Sequence, residues 1–176
     1  RGRHPFSIIA AARRCSSLSI GDGMDYWDRL GAAFDQVDIY NGADAFFAGF
    51  APLPAPVQHL FAAHWCQSEV NNGGFDQFFF NSTGVLAPEA EAGFRAIGLT
   101  GVADIVREAM ARFGAEYPRE QEVREAAMDA IPSDGGGAFG GKGRRFSDLD
   151  DRFYEAMADR DFQEAADAYA ERHCAG

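Results

Sequence analysis

The chain has 176 residues, of which 47% are hydrophobic, and a formal net charge of −11. This apolar content is sufficient for one domain with a substantial core, which excludes a chain that is disordered throughout. No apolar run approaches the length of a membrane-spanning helix, and the acidic charge argues against direct binding to nucleic acid.

Residues 1–23 differ in charge from the rest of the chain. They contain four arginines and one aspartate, so the remaining residues carry a net charge of −14. This change of sign predicts a basic, flexible appendage over 1–23 and an acidic domain over 24–174. The appendage superficially resembles a transit peptide, although a cloning remnant or a start assigned too early explains it equally well.

From residue 24 onward, apolar residues recur at spacings of three and four, which predicts a succession of helices. The first runs from residue 24 to about residue 37. A turn at 41–42, a short helix rich in phenylalanine and a proline-rich connection over 52–56 follow. The next predicted helix covers 57–70 and leads into the most distinctive segment of the chain.

This segment, EVNNGGFDQFFFNSTG, spans residues 69–84. Gly73 and Gly74 are predicted to end one helix, because glycine adopts the left-handed conformation of a helix C-terminus without a Cβ penalty. A second helix then presents phenylalanines at spacings of three and four on one face, which we expect to be buried. These are Phe75, Phe78 and Phe79.

The polar residues of the segment allow two interpretations. They either shape a turn that holds the aromatic helix in the core, or they form a polar site for a small ligand or substrate. A polar site would use Glu69, Asn71, Asn72 and Gln77, with Asn81 toward the rim. A filled aromatic core would favour the first interpretation, and a cavity on which these groups converge would favour the second.

Beyond residue 84 the helical pattern continues, interrupted by a glycine-rich loop over 132–145. The alternation typical of a half-buried strand does not recur. The sequence therefore predicts an all-α fold, a compact single-domain bundle of about eight helices with no significant sheet.

No catalytic or metal-binding motif is recognisable. His59 and His64 are five residues apart and do not share a helical face, as two metal ligands would. Cys15, Cys66 and Cys174 are widely spaced and form no zinc pattern, so a reducing cytoplasm is expected, with Cys66 a small core residue. We predict no enzyme activity, metal or cofactor.

Acidic residues recur at helical spacing in four segments. The stripes consist of Asp148, Asp151, Glu155 and Asp159; of Glu164, Asp167 and Glu171; of Glu122, Glu125 and Asp129; and of Asp25, Asp28, Asp35 and Asp38. Such stripes are either ordinary solvated helix faces or a surface whose field attracts a basic partner.

The segment over 69–84 resembles the signature of a bacterial family of unknown function whose best-known member is an acidic DNA-mimic protein. The resemblance extends to shorter segments and covers roughly residues 24–174. These segments are Tyr26–Leu30, Ala96–Gly98, Leu149–Tyr154 and Tyr169–His173. The resemblance implies an all-helical homodimer that occupies the DNA-binding face of a transcriptional regulator.

The leading hypothesis is therefore a non-enzymatic protein whose carboxylates bind a basic DNA-binding regulator in place of phosphates. The first set of expected anchors is Asp148, Asp150, Asp151, Glu155 and Asp159, and the second set is Asp25, Asp28, Asp35 and Asp38. An inhibitor or immunity-type protein for a basic nuclease would use the same charges and remains the alternative, alongside the small-ligand site described above.

Overall fold

The computed structural model describes residues 25–133 and 143–173, and all regular structure within these ranges is helical. The helices are α1 (Tyr26–Gln36), α2 (Gly42–Phe50), α3 (Ala55–Phe80), a 3₁₀ helix (Ser82–Leu86), α4 (Ala87–Ala96), α5 (Thr100–Ala111), α6 (Gln121–Met128), α7 (Ser147–Asp159) and α8 (Phe162–His173). The described ranges thus confirm the predicted all-α fold. The predicted appendage, most of the glycine-rich loop, Cys15 and Cys174 lie outside them.

The first helices begin and end at residues that satisfy their terminal backbone groups. The Asp25 carboxylate accepts the Asp28 N–H at 2.8 Å and caps α1. Asp38 accepts the N–H groups of Tyr40 and Asn41 in the turn that leads to α2. Pro56 lies in the first turn of α3, where its missing N–H costs no helical hydrogen bond.

The long helix α3 occupies the centre of the fold. It packs against α1, α4, α6, α7 and α8, as well as against the 3₁₀ helix. Its backbone leaves helical geometry at Gly73 and Gly74, so α3 consists of two helical halves joined by a break. The sequence prediction of an interruption at these glycines is confirmed.

The second half of α3 inserts its aromatic face into the core. Phe75, Phe78 and Phe79 are fully buried, as the spacing predicted. The Phe79 ring lies 4.9 Å from that of Phe113, and the Phe75 ring lies 5.5 Å from that of Phe153, both edge to face. These aromatic pairs attach α7 and the turn after α5 to the central helix.

The remaining features of the core are consistent with a folded helical domain. Cys66 is completely buried, as expected, and burial raises the pKa of its thiol. None of the helices in the described ranges is long and apolar enough to cross a membrane.

His64 lies in an aromatic cluster between α1 and the first half of α3. Its ring is 4.5 Å from that of Trp27 and 6.0 Å from that of Phe34. Its Nδ1 atom is hydrogen bonded to the Tyr26 hydroxyl at 3.1 Å. Burial lowers the pKa of His64 to about 4, so the ring is neutral at physiological pH.

We expect the stability of the protein to fall as the pH drops from about 6.5 toward 4. The unfolded chain protonates His64 near its ordinary pKa of about 6.5, whereas the folded chain resists protonation until about pH 4. Near pH 5 this difference amounts to about 2 kcal/mol of unfolding free energy. Urea denaturation of the wild type and of His64→Gln at pH about 7 and about 5 measures it.

The comparison between the two proteins isolates His64 from other titrating groups. Burial and the nearby His173 also lower the pKa of His59, and that contribution is present in both proteins. Equal losses of stability on acidification in the wild type and in His64→Gln would contradict the prediction.

Candidate functional site

The break in α3 is held by a carboxylate from another helix. Gly74 has φ = 75° and ψ = −176°, a conformation that is accessible almost exclusively to glycine. Asp150 of α7 accepts the N–H of Phe75 at 2.7 Å and thereby caps the second half of α3. A Cβ atom on Gly74 would lie 2.6 Å from Oδ2 of Asp150. The glycine is therefore required both by its conformation and by the proximity of this carboxylate.

Asp150 is not available to a partner, which corrects its assignment to the first set of surface anchors. Its side chain is fully buried and forms an ion pair with Arg144. Burial raises the pKa of its carboxyl, against the lowering effects of the Phe75 N–H and of Arg144. Asp150 was counted among the anchors although it lies outside the helical stripe of Asp148, Asp151, Glu155 and Asp159. Leu149, Asp150 and Phe153 form the buried side of α7.

Glu69 organises the polar part of the signature. Its carboxylate accepts hydrogen bonds from Gln77 Nε2 at 2.6 Å, from Asn81 Nδ2 at 2.9 Å and from Thr83 Oγ1 at 3.0 Å. Asn72 donates in turn to Oε1 of Gln77 at 3.1 Å. These bonds join the two halves of α3 to the 3₁₀ helix.

The contacts of the signature support the structural interpretation more than the small-ligand interpretation. Glu69, Gln77 and Asn81 use their polar atoms on one another, and the phenylalanines beside them fill the core. Asn71, which precedes the break, is exposed. Among the described residues, no group of acidic, histidine or cysteine side chains is arranged to hold a metal ion.

A second part of the signature accommodates a buried arginine that the sequence analysis missed. Arg124 of α6 is fully buried and donates to the carbonyl oxygens of Phe79, Asn81 and Arg119 at 2.6–2.7 Å. A Cβ atom on Gly84 would lie 2.5 Å from Nε of Arg124. One signal was present in the sequence: Arg124 is four residues before Met128, and so occupies an apolar position of α6.

The acids of α7 face solvent, with the exception of Asp150. Asp151, Glu155 and Asp159 are exposed and form no ion pair within the described residues. Asp148 is exposed but pairs with Arg112, whose hydrogen bond holds the pKa of Asp148 below its ordinary value. The structure thus retains an uncompensated row of three carboxylates on α7.

The α1 acids form a separate group with partly structural roles. Asp28 and Asp35 are exposed, whereas Asp25 caps α1 and Asp38 stabilises the following turn. Asp167 of α8 accepts the N–H of Tyr26 at 2.8 Å, which brings the acids of α8 close to the start of α1. The helix α1 packs on α3 and α8, while α7 packs on α3 and α5. Apart from α3, the acids of α1 and those of α7 therefore lie on helices with different neighbours.

An open groove of about 1000 Å³ lies between the second half of α3 and α6, and we call it the α3–α6 groove. From the signature, Asp76, Gln77, Phe80 and Asn81 line it, and from α6 and its end, Glu122, Glu125, Met128 and Asp129. Arg145 also lines the groove and donates to Asp76 and to Asp129, both at 3.2 Å. The predicted stripe of Glu122, Glu125 and Asp129 is therefore one wall of a groove, which periodicity alone did not indicate.

Comparison with known proteins identifies the family. The model of the family described as DMP19-like protein matches residues 51–173, which is more than half of the chain. No curated protein and no solved structure matches the chain. The matched range includes the signature, the α3–α6 groove and α7, whereas α1 and α2 precede it. The chain belongs to the DMP19-like family, a family of DNA-mimic proteins that are generally non-enzymatic.

Proposed function

We propose that this member of the DMP19-like family binds a basic DNA-binding protein and competes with DNA for it. Family membership suggests a protein of the DNA-mimic type. The observation that carries the proposal for this chain is the exposed row of Asp151, Glu155 and Asp159 on α7, which no cation of the described residues neutralises.

The acids of α5 provide an internal contrast. Asp104 pairs with Arg95 and Arg107, and Glu108 pairs with Arg152. These charges are compensated within the molecule and contribute little to the electrostatic potential around it. The α7 acids repeat every fourth residue, about 6 Å apart along the helix axis, and present a regular series of negative charges to arginine and lysine side chains.

The proposed binding is tested by capture of partners from the cells that produce this protein. The immobilised chain is incubated with cell lysate at low salt, and bound proteins are released by a salt gradient or by double-stranded DNA. Release of a DNA-binding regulator by DNA is the expected result, because both ligands would use the same cationic face. A captured nuclease would assign the chain to the alternative class of inhibitor, and the absence of any DNA-displaceable protein would contradict mimicry.

Neutralising the α7 row, with Asp151→Asn, Glu155→Gln and Asp159→Asn combined, is expected to weaken capture about tenfold at low salt. Each exposed ion pair contributes about 0.2–1 kcal/mol, and a total of about 1.4 kcal/mol corresponds to a factor of ten. The measurement is the dissociation constant of the captured regulator as a function of salt concentration, whose slope should also decrease.

The matched control removes three acids that are already paired. Glu91→Gln, Asp104→Asn and Glu108→Gln change the net charge of the protein by the same amount, but these side chains bind Arg95, Arg107 and Arg152. We expect a smaller loss of affinity from this control. Equal losses in both triple variants would show that net charge, and not the α7 row, determines binding.

A further inference from the structure

We propose that the α3–α6 groove is the docking site for an amphipathic basic segment of the DNA-binding partner. This inference rests on the proposed function and adds to it a specific surface and a chemical class of ligand. The partner segment would place arginine or lysine heads on the carboxylates of the groove and an apolar side chain on Phe80.

The charge of the groove calls for a cationic occupant. Among the described residues that line it, four carry carboxylates and Arg145 alone carries a guanidinium. That guanidinium is already bound to Asp76, Asp129 and the carbonyl of Met128, and it is only 16% exposed. Among the described residues, Glu122 is exposed and forms no ion pair, and Glu125 is hydrogen bonded only to the neutral amide of Gln121. The groove therefore keeps a negative excess on its α6 wall.

Phe80 gives the groove an apolar contact that a purely electrostatic mimic of DNA would not need. It is 55% exposed, although the other phenylalanines of the same helical half are buried. Gln121 of α6 donates to the backbone carbonyl of Phe80 at 3.0 Å, which fixes this residue beside α6. An exposed aromatic ring next to carboxylates suits an apolar side chain flanked by arginine or lysine, because the apolar side chain covers the ring while the charged heads reach the acids.

The same chemistry argues against other occupants. A nucleic acid would be repelled by the carboxylates. A metal ion would find no suitable group of ligands among the described residues. A protein segment with alternating basic and apolar side chains satisfies both the charge and the exposed ring, and basic segments are what DNA-binding proteins present to phosphates.

The probe is a short fluorescent peptide of alternating arginine and leucine, with one control peptide in which serine replaces leucine. We expect the first peptide to bind the wild-type protein more tightly than the control peptide does. Phe80→Ala should weaken binding of the leucine-containing peptide about five- to tenfold, since a half-exposed ring would be buried on docking. Tyr40→Ala is the matched variant, because Tyr40 is another exposed aromatic residue, 75% exposed, outside the groove.

The two proposals fail in different ways. Equal effects of Phe80→Ala and Tyr40→Ala on the peptide would overturn the groove as a docking site. If DNA displaces the captured regulator, and its affinity depends on the α7 row but not on Phe80, the groove is not the docking site, whereas the proposed DNA mimicry is supported. If the affinity for the peptide depends on Phe80 but no captured protein binds DNA, the groove is a site for basic peptides and the proposed function is contradicted. Dissociation of a dimer by Phe80→Ala in sedimentation would assign the groove to a second copy of the chain.

Discussion

Replacing Arg124 with methionine is expected to lower the free energy of unfolding by about 3–5 kcal/mol. The guanidinium is fully buried and donates to the carbonyls of Phe79 and Asn81 at the end of α3, where helical carbonyls have no partner within the helix. It also donates to the carbonyl of Arg119 before α6. Methionine fills a similar volume but donates no hydrogen bond, so these oxygens lose the guanidinium, and the Asn81 carbonyl keeps only the N–H of Gly84.

The burial of an unpaired cation works against this effect. Burial lowers the pKa of Arg124, which shows that the charged form is disfavoured by its surroundings. Methionine removes that cost, but hydrogen bonds to a charged donor contribute about 1.5–3 kcal/mol each and three of them are short. The lost hydrogen bonds therefore outweigh the relieved desolvation.

Urea denaturation followed by circular dichroism measures this difference. Arg152→Met is the control, since Arg152 forms an ion pair with Glu108 at the surface and both side chains are about half exposed. We expect the control to cost less than about 1 kcal/mol. Arg124→Lys should recover only part of the stability, because lysine lacks the planar fork that reaches several carbonyls at once. Similar losses in Arg124→Met and Arg152→Met would show that the buried carbonyls find other donors.

Replacing Gly74 with alanine is expected to cost about 3 kcal/mol or more. The φ of 75° and ψ of −176° strain any residue with a Cβ atom. In addition, the new methyl group would lie 2.6 Å from Oδ2 of Asp150 and 2.9 Å from Nη2 of Arg144. The buried carboxylate that caps the second half of α3 would have to move, and the Phe75 N–H would lose its acceptor.

Two other glycines separate the contributions of conformation and space. Gly98 also has a positive φ, but a Cβ atom there would meet nothing within 4 Å, so Gly98→Ala should cost only about 1–2 kcal/mol of strain. Gly101 lies in α5, has no positive φ and has the same open surroundings. Gly101→Ala should stabilise the protein by about 0.5–1 kcal/mol through helix propensity. If Gly74→Ala lowers the free energy of unfolding no more than Gly98→Ala does, the Asp150 side chain moves away from the new methyl group without loss of stability.

The helices and the break in α3 could be predicted because they follow from local rules. Apolar spacing indicates a helix and its buried face, and a pair of glycines indicates an interruption, whatever the rest of the chain does. Phe75, Phe78 and Phe79 were assigned to the core on spacing alone, and all three are buried. The acidic excess that repels nucleic acid is likewise a property of the composition.

The tertiary structure decided which polar residues lie inside. Asp150 and Asp151 are neighbours in sequence, but one is buried and the other exposed, because the N–H of Phe75 and the guanidinium of Arg144 meet only the first. Arg124 is buried because α6 packs against the end of α3, where the carbonyl of Phe79 accepts its guanidinium. The groove beside Phe80 arises from the same packing. A charged side chain is buried or exposed according to partners that are distant in the chain. Helical periodicity can place such a residue on the apolar face, as it does Arg124, but it does not identify those partners.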